Sequence, residues 1–293
     1  MRRFALLFPC FFIGLALKSD KPAYLVYDQQ LKPSRYEEVL RQAANADVVL
    51  FGELHNNPIC HWLELQLTKD LFAEKKNDLV IGAEMFETDN QPAYSDYLAK
   101  RLTDKQLSTE ARLWPNFATD YKPILDFART HGLPVVATNI PRRYASLVAR
   151  QGLAALDSLP ADTKRFVAPL PFPVDLSLPG YKKMLDMGGM HGGNGMPGMS
   201  AENMAQAQAT KDATMAHFIL QNWSKGKVFL HLNGSYHSQN FEGIVWYLKK
   251  QKPNLNVVTI TSTEEADIAR PTEAKAGAAT FTVCIPADMT KTY

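Results

Sequence analysis

Cysteine is scarce in this chain, with three in 293 residues. Cys10 lies in the apolar start, which leaves Cys60 and Cys284 far apart in sequence. Two such cysteines exclude a small disulfide-stapled scaffold and read either as buried thiols or as one bridge. Charge of one sign is also lacking. The formal net charge is +2, which removes the electrostatic case for a nucleic-acid partner. Long polar tracts are few, and 46% of residues are hydrophobic and 10% aromatic, which excludes wholesale disorder and suffices for one large domain. No internal repeat is visible. The apolar stretch 4–17 is 14 residues long and is broken by Pro9, too short to cross a bilayer as a helix. With Arg2 and Arg3 before it and Lys18, Ser19 and Asp20 after it, the start reads as a secretory signal over 1–19, and hence as an exported protein.

Short apolar runs alternate with helix-patterned segments. "DVVLFGE" (47–53) precedes the helical pattern 61–76, and "DLVIGAEMFE" (78–87) precedes 91–102. "LPVVATNIP" (133–141) follows a helical pattern over 121–132, with Gly132 placed as its C-cap. "KGKVFLHLNGSYH" (225–237), "NLNVVTITST" (254–263) and "ATFTVCIP" (279–286) complete the series. Near-continuous Val/Ile/Leu strands alternating with helices predict an α/β fold, a mostly parallel sheet flanked by helices. The stretch 142–224 shows no strand pattern. It reads as a helical insertion, interrupted by the proline-rich segment 169–181, within a single domain over 20–293.

In open parallel sheets, ligands bind beyond the carboxyl ends of the strands. Applied here, that rule gathers Glu53 and His55 from the first run, Glu84 and Glu87 from the second, Asn139 and Arg142 from the third, and Asn233, Ser235 and His237 from the fourth. Glu53 also suits a helix cap, and His55 suits a bond to a loop carbonyl. Glu84 interrupts an apolar strand and needs a partner, for which Arg142 is one choice and a ligand another. His231 reads as a satisfied core histidine, and His61, His131 and His217 as structural or exposed. Glu53, His55, Glu84 and His237 together form a set able to hold a divalent cation and leave a position for water, the makings of a metal-dependent hydrolase.

A second unusual stretch, "MLDMGGMHGGNGMPGMSAENM" (184–204), carries six methionines and His191 among glycines. Thioethers pack adaptably against flat apolar ligands and favour Cu(I), so the stretch reads as packing, as a plain low-complexity loop, or as a copper-handling site.

The segments "FGELHNN", "GAEMFE", "NIPRRYASLVARQG", "AQAQATKDATMA" and "HLNGSYHSQNFEGIVWYL" resemble, in this order and over nearly the whole mature chain, the signature segments of the ChaN-like haem-binding lipoproteins. That resemblance implies an α/β fold with a helical subdomain, haem as ligand in bacterial haem or iron uptake, and a homodimer enclosing the haem. It also implies a cell-envelope location, periplasmic or on the outer membrane, with an outer-membrane haem receptor as partner. It further implies a tyrosine on the iron, with basic or histidine groups near the propionates. In this chain Tyr144 or Tyr181 would supply the ligand, and Arg142, Lys182, Lys183 and His191 the surrounding groups. Cys10 departs from the pattern, because "LFPC" lacks the small residues that precede a lipidated cysteine. The wider superfamily, with Tiki-type proteases and erythromycin esterases, shares Gly-Glu-x-His and Gly-x-x-His, matched here by Gly52, Glu53, His55, Gly234 and His237.

Overall fold

A computed structural model describes residues 21–190 and 200–293, with the side chains of 187–190 left aside. The expected signal segment, Cys10 and His191 lie outside the described residues. In chain order the elements are β1 (Leu25–Asp28), β2 (Pro33–Ser34), α1 (Tyr36–Ala44), β3 (Val48–Glu53), α2 (Pro58–Lys75), β4 (Leu79–Glu87), α3 (Gln91–Leu98), α4 (Asp104–Glu110), α5 (Lys122–His131), β5 (Val135–Asn139), α6 (Arg142–Gln151), α7 (Ala161–Lys164), α8 (Pro179–Met190), α9 (Ala201–Asn222), β6 (Val228–Gly234), α10 (Ile244–Gln251), β7 (Val257–Glu265) and β8 (Phe281–Pro286).

The strands form one eight-stranded sheet in the order β2-β1-β8-β7-β3-β6-β4-β5. From β8 to β5 the pairing is parallel, and β1 and β2 add an antiparallel edge that sequence patterning did not reveal. The central strands are buried along their whole length, which explains why they read as apolar runs rather than alternating ones. One face packs against α2 and α5 through Leu63, Leu67, Leu71, Ile124 and Leu125, and the other against α9 and α10 through Met215, Ile219, Ile244 and Leu248. Between β5 and β6 the described residues hold helices and no strand. There α6 and α8 lie against the long helix α9.

Cys60 and Cys284 are both free and buried, which resolves the sequence alternatives in favour of two thiols. His231 is a core histidine, as its place within β6 suggests. Its ring bonds Thr138 Oγ1 at 2.8 Å and Asn233 Oδ1 at 3.1 Å, and burial pushes its pKa down to about 4.

Candidate functional site

Three local devices deliver polar groups to the carboxyl edge of the sheet. In the first, β3 ends at Gly52-Glu53, and Asn57 then accepts from the Ile59 N–H and caps α2, with Pro58 in its first turn. Asn57, rather than Glu53, is therefore the helix cap. In the second, the pairing of β4 with β5 shifts register between Ala83 and Glu87, and such an irregularity re-aims side chains. Glu84 and Glu87 lie in that interval. In the third, a π-helical turn over Phe117–Tyr121 precedes α5 and brings Asp120 and Tyr121 under the rim.

The rim residues then sort into two acid–imidazole pairs. Glu53 is buried, and its Oε1 accepts from His55 Nδ1 at 2.7 Å and from the Tyr121 hydroxyl at 2.7 Å. His55 thus bonds a carboxylate rather than a loop carbonyl, and its side chain is 36% exposed. Because a carboxylate only accepts, this bond fixes the His55 proton on Nδ1 and leaves Nε2 as the free ring nitrogen of the neutral form. Burial opposes charge on the ring, yet the bond to Glu53 and the nearby Glu84 hold its pKa above the ordinary value. In the second pair, Glu84 Oε2 accepts from the Gly234 backbone N–H at 2.8 Å, and Oε1 lies 3.1 Å from His237 Nε2. On its far side His237 Nδ1 meets Asp212 Oδ1 at 2.5 Å, and Asp212 Oδ2 accepts from the Tyr181 hydroxyl at 2.6 Å. Burial alone would lower the His237 pKa, but the charges of Glu84 and Asp212 outweigh it and hold the ring at about 9. The same imidazolium holds Glu84 far below the usual carboxylate range despite complete burial. A Cβ added at Gly234 would stand 2.9 Å from the His55 ring, so the lack of a side chain there gives the imidazole its place.

Beneath Glu53 lies a third layer absent from the sequence reading. His61 is 5% exposed, not a surface residue. Its Nε2 lies 3.1 Å from the His55 carbonyl oxygen and 3.3 Å from Asp120 Oδ2, and its Nδ1 faces Glu64 Oε2 at 3.3 Å and Glu53 Oε2 at 3.6 Å. Burial and the charge of Glu53 push the Glu64 carboxyl well above its ordinary pKa, whereas Glu53 stays low through its bonds to His55 and Glu64. The signal for this layer was the i, i+3, i+6, i+7, i+10 spacing of His61, Glu64, Leu67, Thr68 and Leu71, all on the buried face of α2.

The structure redistributes the remaining sequence candidates. Arg142 is not the partner of Glu84. Its backbone N–H donates to Glu87 Oε2 while its side chain is exposed. Glu87 is paired instead with Arg112, and Asp89 with Arg112 and Arg143. Tyr181 is buried with its hydroxyl committed to Asp212, and burial followed by the charge of Asp212 drives its pKa up, away from phenolate. Tyr144 is buried, and its hydroxyl accepts from Arg143, whose guanidinium also stacks on the ring at 4.5 Å. Lys182 and Lys183 are exposed, and Lys182 pairs with Asp186 one turn along α8. The four proposed cation ligands do not form one group. Among the described residues, the His, Cys, Asp and Glu donor atoms that all lie within 4.8 Å of one another belong to Glu53, His61 and Glu64.

Two cavities open on either side of His55, Glu84 and Lys211, which line both. The first, of about 630 Å³, is lined by the apolar Leu113, Trp114, Pro115, Ile140 and Ala145 and by Arg112 and Arg142. The second, of about 780 Å³, is bounded by Glu53, Ser235, Tyr236, His237, Gln208 and Met184. Met184 is the described methionine of the Met-rich stretch that reaches this cleft.

Acid–histidine pairs on the carboxyl edge of a parallel α/β sheet stand where such sheets bind their ligands. Residues 39–248 match the family described as haem-binding uptake, Tiki superfamily, ChaN, and the chain belongs to that family. In three dimensions it is similar to ChaN of Campylobacter jejuni, described with cofacial haem binding, at a TM-score of 0.67 and 17% identity over 89% of this chain and 96% of that one. A Bacillus cereus protein superposes with a TM-score of 0.51 at 11% identity, over 85% of this chain and 90% of its own. Among curated proteins, Protein RETICULATA-RELATED 5, chloroplastic, of Arabidopsis thaliana is 24% identical over 197 residues, 65% of this chain. The chain spans about a quarter (26%) of that relative's length.

Proposed function

We propose that this protein binds haem at the 630 Å³ cavity and serves haem or iron uptake in the bacterial envelope as a haem-bridged homodimer. Family membership supports haem as the ligand. The observation that carries the site is the lining of this cavity, which combines aromatic and aliphatic side chains with Arg112, Arg142, Lys211 and His55. Haem is a flat apolar disc with two carboxylates, and its iron takes a nitrogen or oxygen donor. The Trp114 wall suits the porphyrin face, and Arg142 and Lys211 suit the propionates. His55 Nε2 is the donor of choice, because Nδ1 is held by Glu53 in the carboxylate–histidine arrangement typical of metal ligands. Tyr144 and Tyr181 are engaged elsewhere, which moves the ligand from tyrosine to histidine. The reading is tested by titrating haemin into the purified protein while following the absorption spectrum and the mass by light scattering. Saturable binding, doubling of mass and a changed ferric spectrum in His55→Ala support it. Absence of saturable binding, or unchanged spectra and binding in both His55→Ala and Arg142→Ala, overturns the site.

The two acid–imidazole pairs support a second reading as a hydrolase. His237 is held charged between Glu84 and Asp212, and Glu53 orients His55 across the same cleft, an arrangement that can supply an acid and a base to one bond. Turnover of ester or peptide substrates that disappears in both Glu84→Gln and His237→Gln would favour it over carriage alone.

A further inference from the structure

The buried layer under the rim contains an imbalance of charge and of hydrogen-bonding capacity. Glu53 and Glu64 are at most 1% exposed, and Asp120 is 4% exposed. Glu53 Oε2 and Glu64 Oε1 are fully buried, and apart from a proton on Glu64 no group donates to them. The ion pairs that these three acids make within the described residues are with histidine, none with lysine or arginine. A carboxylate oxygen left this way costs several kcal/mol unless something cationic or a proton sits on it.

The histidine in this layer is oriented for the role of ligand. The His55 carbonyl oxygen and Asp120 Oδ2, both acceptors, sit against His61 Nε2 and place its proton there. The Nδ1 lone pair therefore faces Glu64 Oε2 at 3.3 Å and Glu53 Oε2 at 3.6 Å, a set of donor atoms that a proton on Glu64 or a cation in the middle completes. Asn116 Nδ2 donates to both of those acceptors, at 3.0 Å to the His55 carbonyl and 2.6 Å to Asp120, and so holds the outer ring of the site. This carbonyl- and carboxylate-backed imidazole is the usual support of a metal-bound histidine.

We propose that Glu53, His61 and Glu64 bind a divalent first-row transition-metal ion, Mn²⁺, Fe²⁺, Co²⁺ or Zn²⁺ in class, in the layer beneath the rim. Two carboxylates and one imidazole suit those ions better than Ca²⁺ or Mg²⁺, which favour all-oxygen sets, or Cu(I), which favours thioether and thiolate. Glu53 divides its two oxygens between tasks. Oε1 keeps His55 and Tyr121, and Oε2 faces the ion, so occupancy is coupled to the orientation of His55 through one carboxylate. Of the three ligands, Glu53 is the one that also lines the 780 Å³ cavity. This site differs from a rim site at Glu84 and His237, whose donor atoms are already matched to Asp212 and the Gly234 N–H.

Chelator-treated, haem-free protein titrated with CoCl₂ tests the proposal, followed by visible absorption and by equilibrium dialysis with elemental analysis. The expected result is saturation at about a single equivalent, with affinity reduced at least tenfold in both His61→Ala and Glu64→Gln and retained in Glu84→Gln. Glu64→Gln keeps volume and shape, and it decides the matter if His61→Ala does not fold. Failure of the wild type to bind cobalt stoichiometrically overturns the site. So does binding that survives Glu64→Gln, or binding lost in Glu84→Gln but kept in His61→Ala. Because no haem is present, none of these outcomes depends on the haem reading.

Discussion

Glu84 Oε1 and His237 Nε2 stand 3.1 Å apart, both residues only 4% exposed, although 152 residues of chain lie between them. Neither group is tolerable alone at that depth. The carboxylate is stabilised by the imidazolium and the Gly234 N–H, and the imidazolium by the carboxylates of Glu84 and Asp212.

The first prediction concerns the charge on His237. Its folded pKa is raised to about 9. The stability it contributes is therefore fully present below the ordinary histidine value near 6.5 and is lost as pH rises through about 9. Glu84 acts in the opposite direction: its contribution is present above the ordinary glutamate value and lost as pH falls. Imidazole ¹³C and ¹⁵N shifts recorded across pH 5–10 should show His237 still doubly protonated at pH 8. A midpoint near 6.5 would show that the two carboxylates do not govern this ring.

The second prediction concerns Tyr181→Phe. Removing the hydroxyl takes one donor from the buried Asp212 carboxylate, worth about 1.5–3 kcal/mol for a bond to a charged group. Denaturant melts should register that loss, while the ferric haem spectrum stays that of the wild type. A shifted spectrum with unchanged stability would return the iron to tyrosine.

Two glycines make a contrasting pair for the third prediction. At Gly243, φ is +53° and an added Cβ would meet the His237 backbone carbonyl oxygen. Gly243→Ala is therefore expected to cost about 1–3 kcal/mol through strain, and to lower the melting temperature. At Gly234 the obstacle is the half-exposed His55 ring, which can swing aside. Gly234→Ala should fold nearly normally but lose haemin affinity. Equal destabilisation in the two variants would contradict the geometry.

The fourth prediction separates the propionate contacts from the apolar wall. Arg142→Ala and Lys211→Ala should weaken haemin binding more at low salt than at high salt, because exposed charge pairs are screened. Trp114→Ala should weaken it independently of salt. Isothermal titration at two ionic strengths distinguishes the cases, and a salt-independent loss in Arg142→Ala would remove that side chain from the carboxylate contact.

The parallel α/β sheet was legible because its strands are buried on both faces and so read as unbroken apolar runs. "DVVLFGE", "DLVIGAEMFE" and "VFLHLNG" all fall on sheet strands. The strand-end rule then placed Glu53, His55, Glu84 and His237 at one edge, and the structure brings them to one cleft. The antiparallel edge β1–β2 escaped notice because a four-residue strand beside a two-residue one leaves almost no periodic signal. His61 escaped for a different reason. Its place on a helix was visible, as a structural or an exposed residue, but nothing in spacing says that a histidine there will face carboxylates rather than leucines.

What the sequence by itself determined was the alternation of strand and helix, the parallel sheet and the edge at which chemistry collects, because hydrophobic burial acts through local periodicity. Only the tertiary structure decided the pairings. It matched His55 with Glu53, gave His237 both Glu84 and Asp212, bonded the Tyr181 and Tyr144 hydroxyls to Asp212 and Arg143, and set His61 against Glu64 and Asp120. Hydrogen bonds and ion pairs act over about 3 Å between atoms, and which atoms come that close depends on strand order and register, which no local pattern encodes.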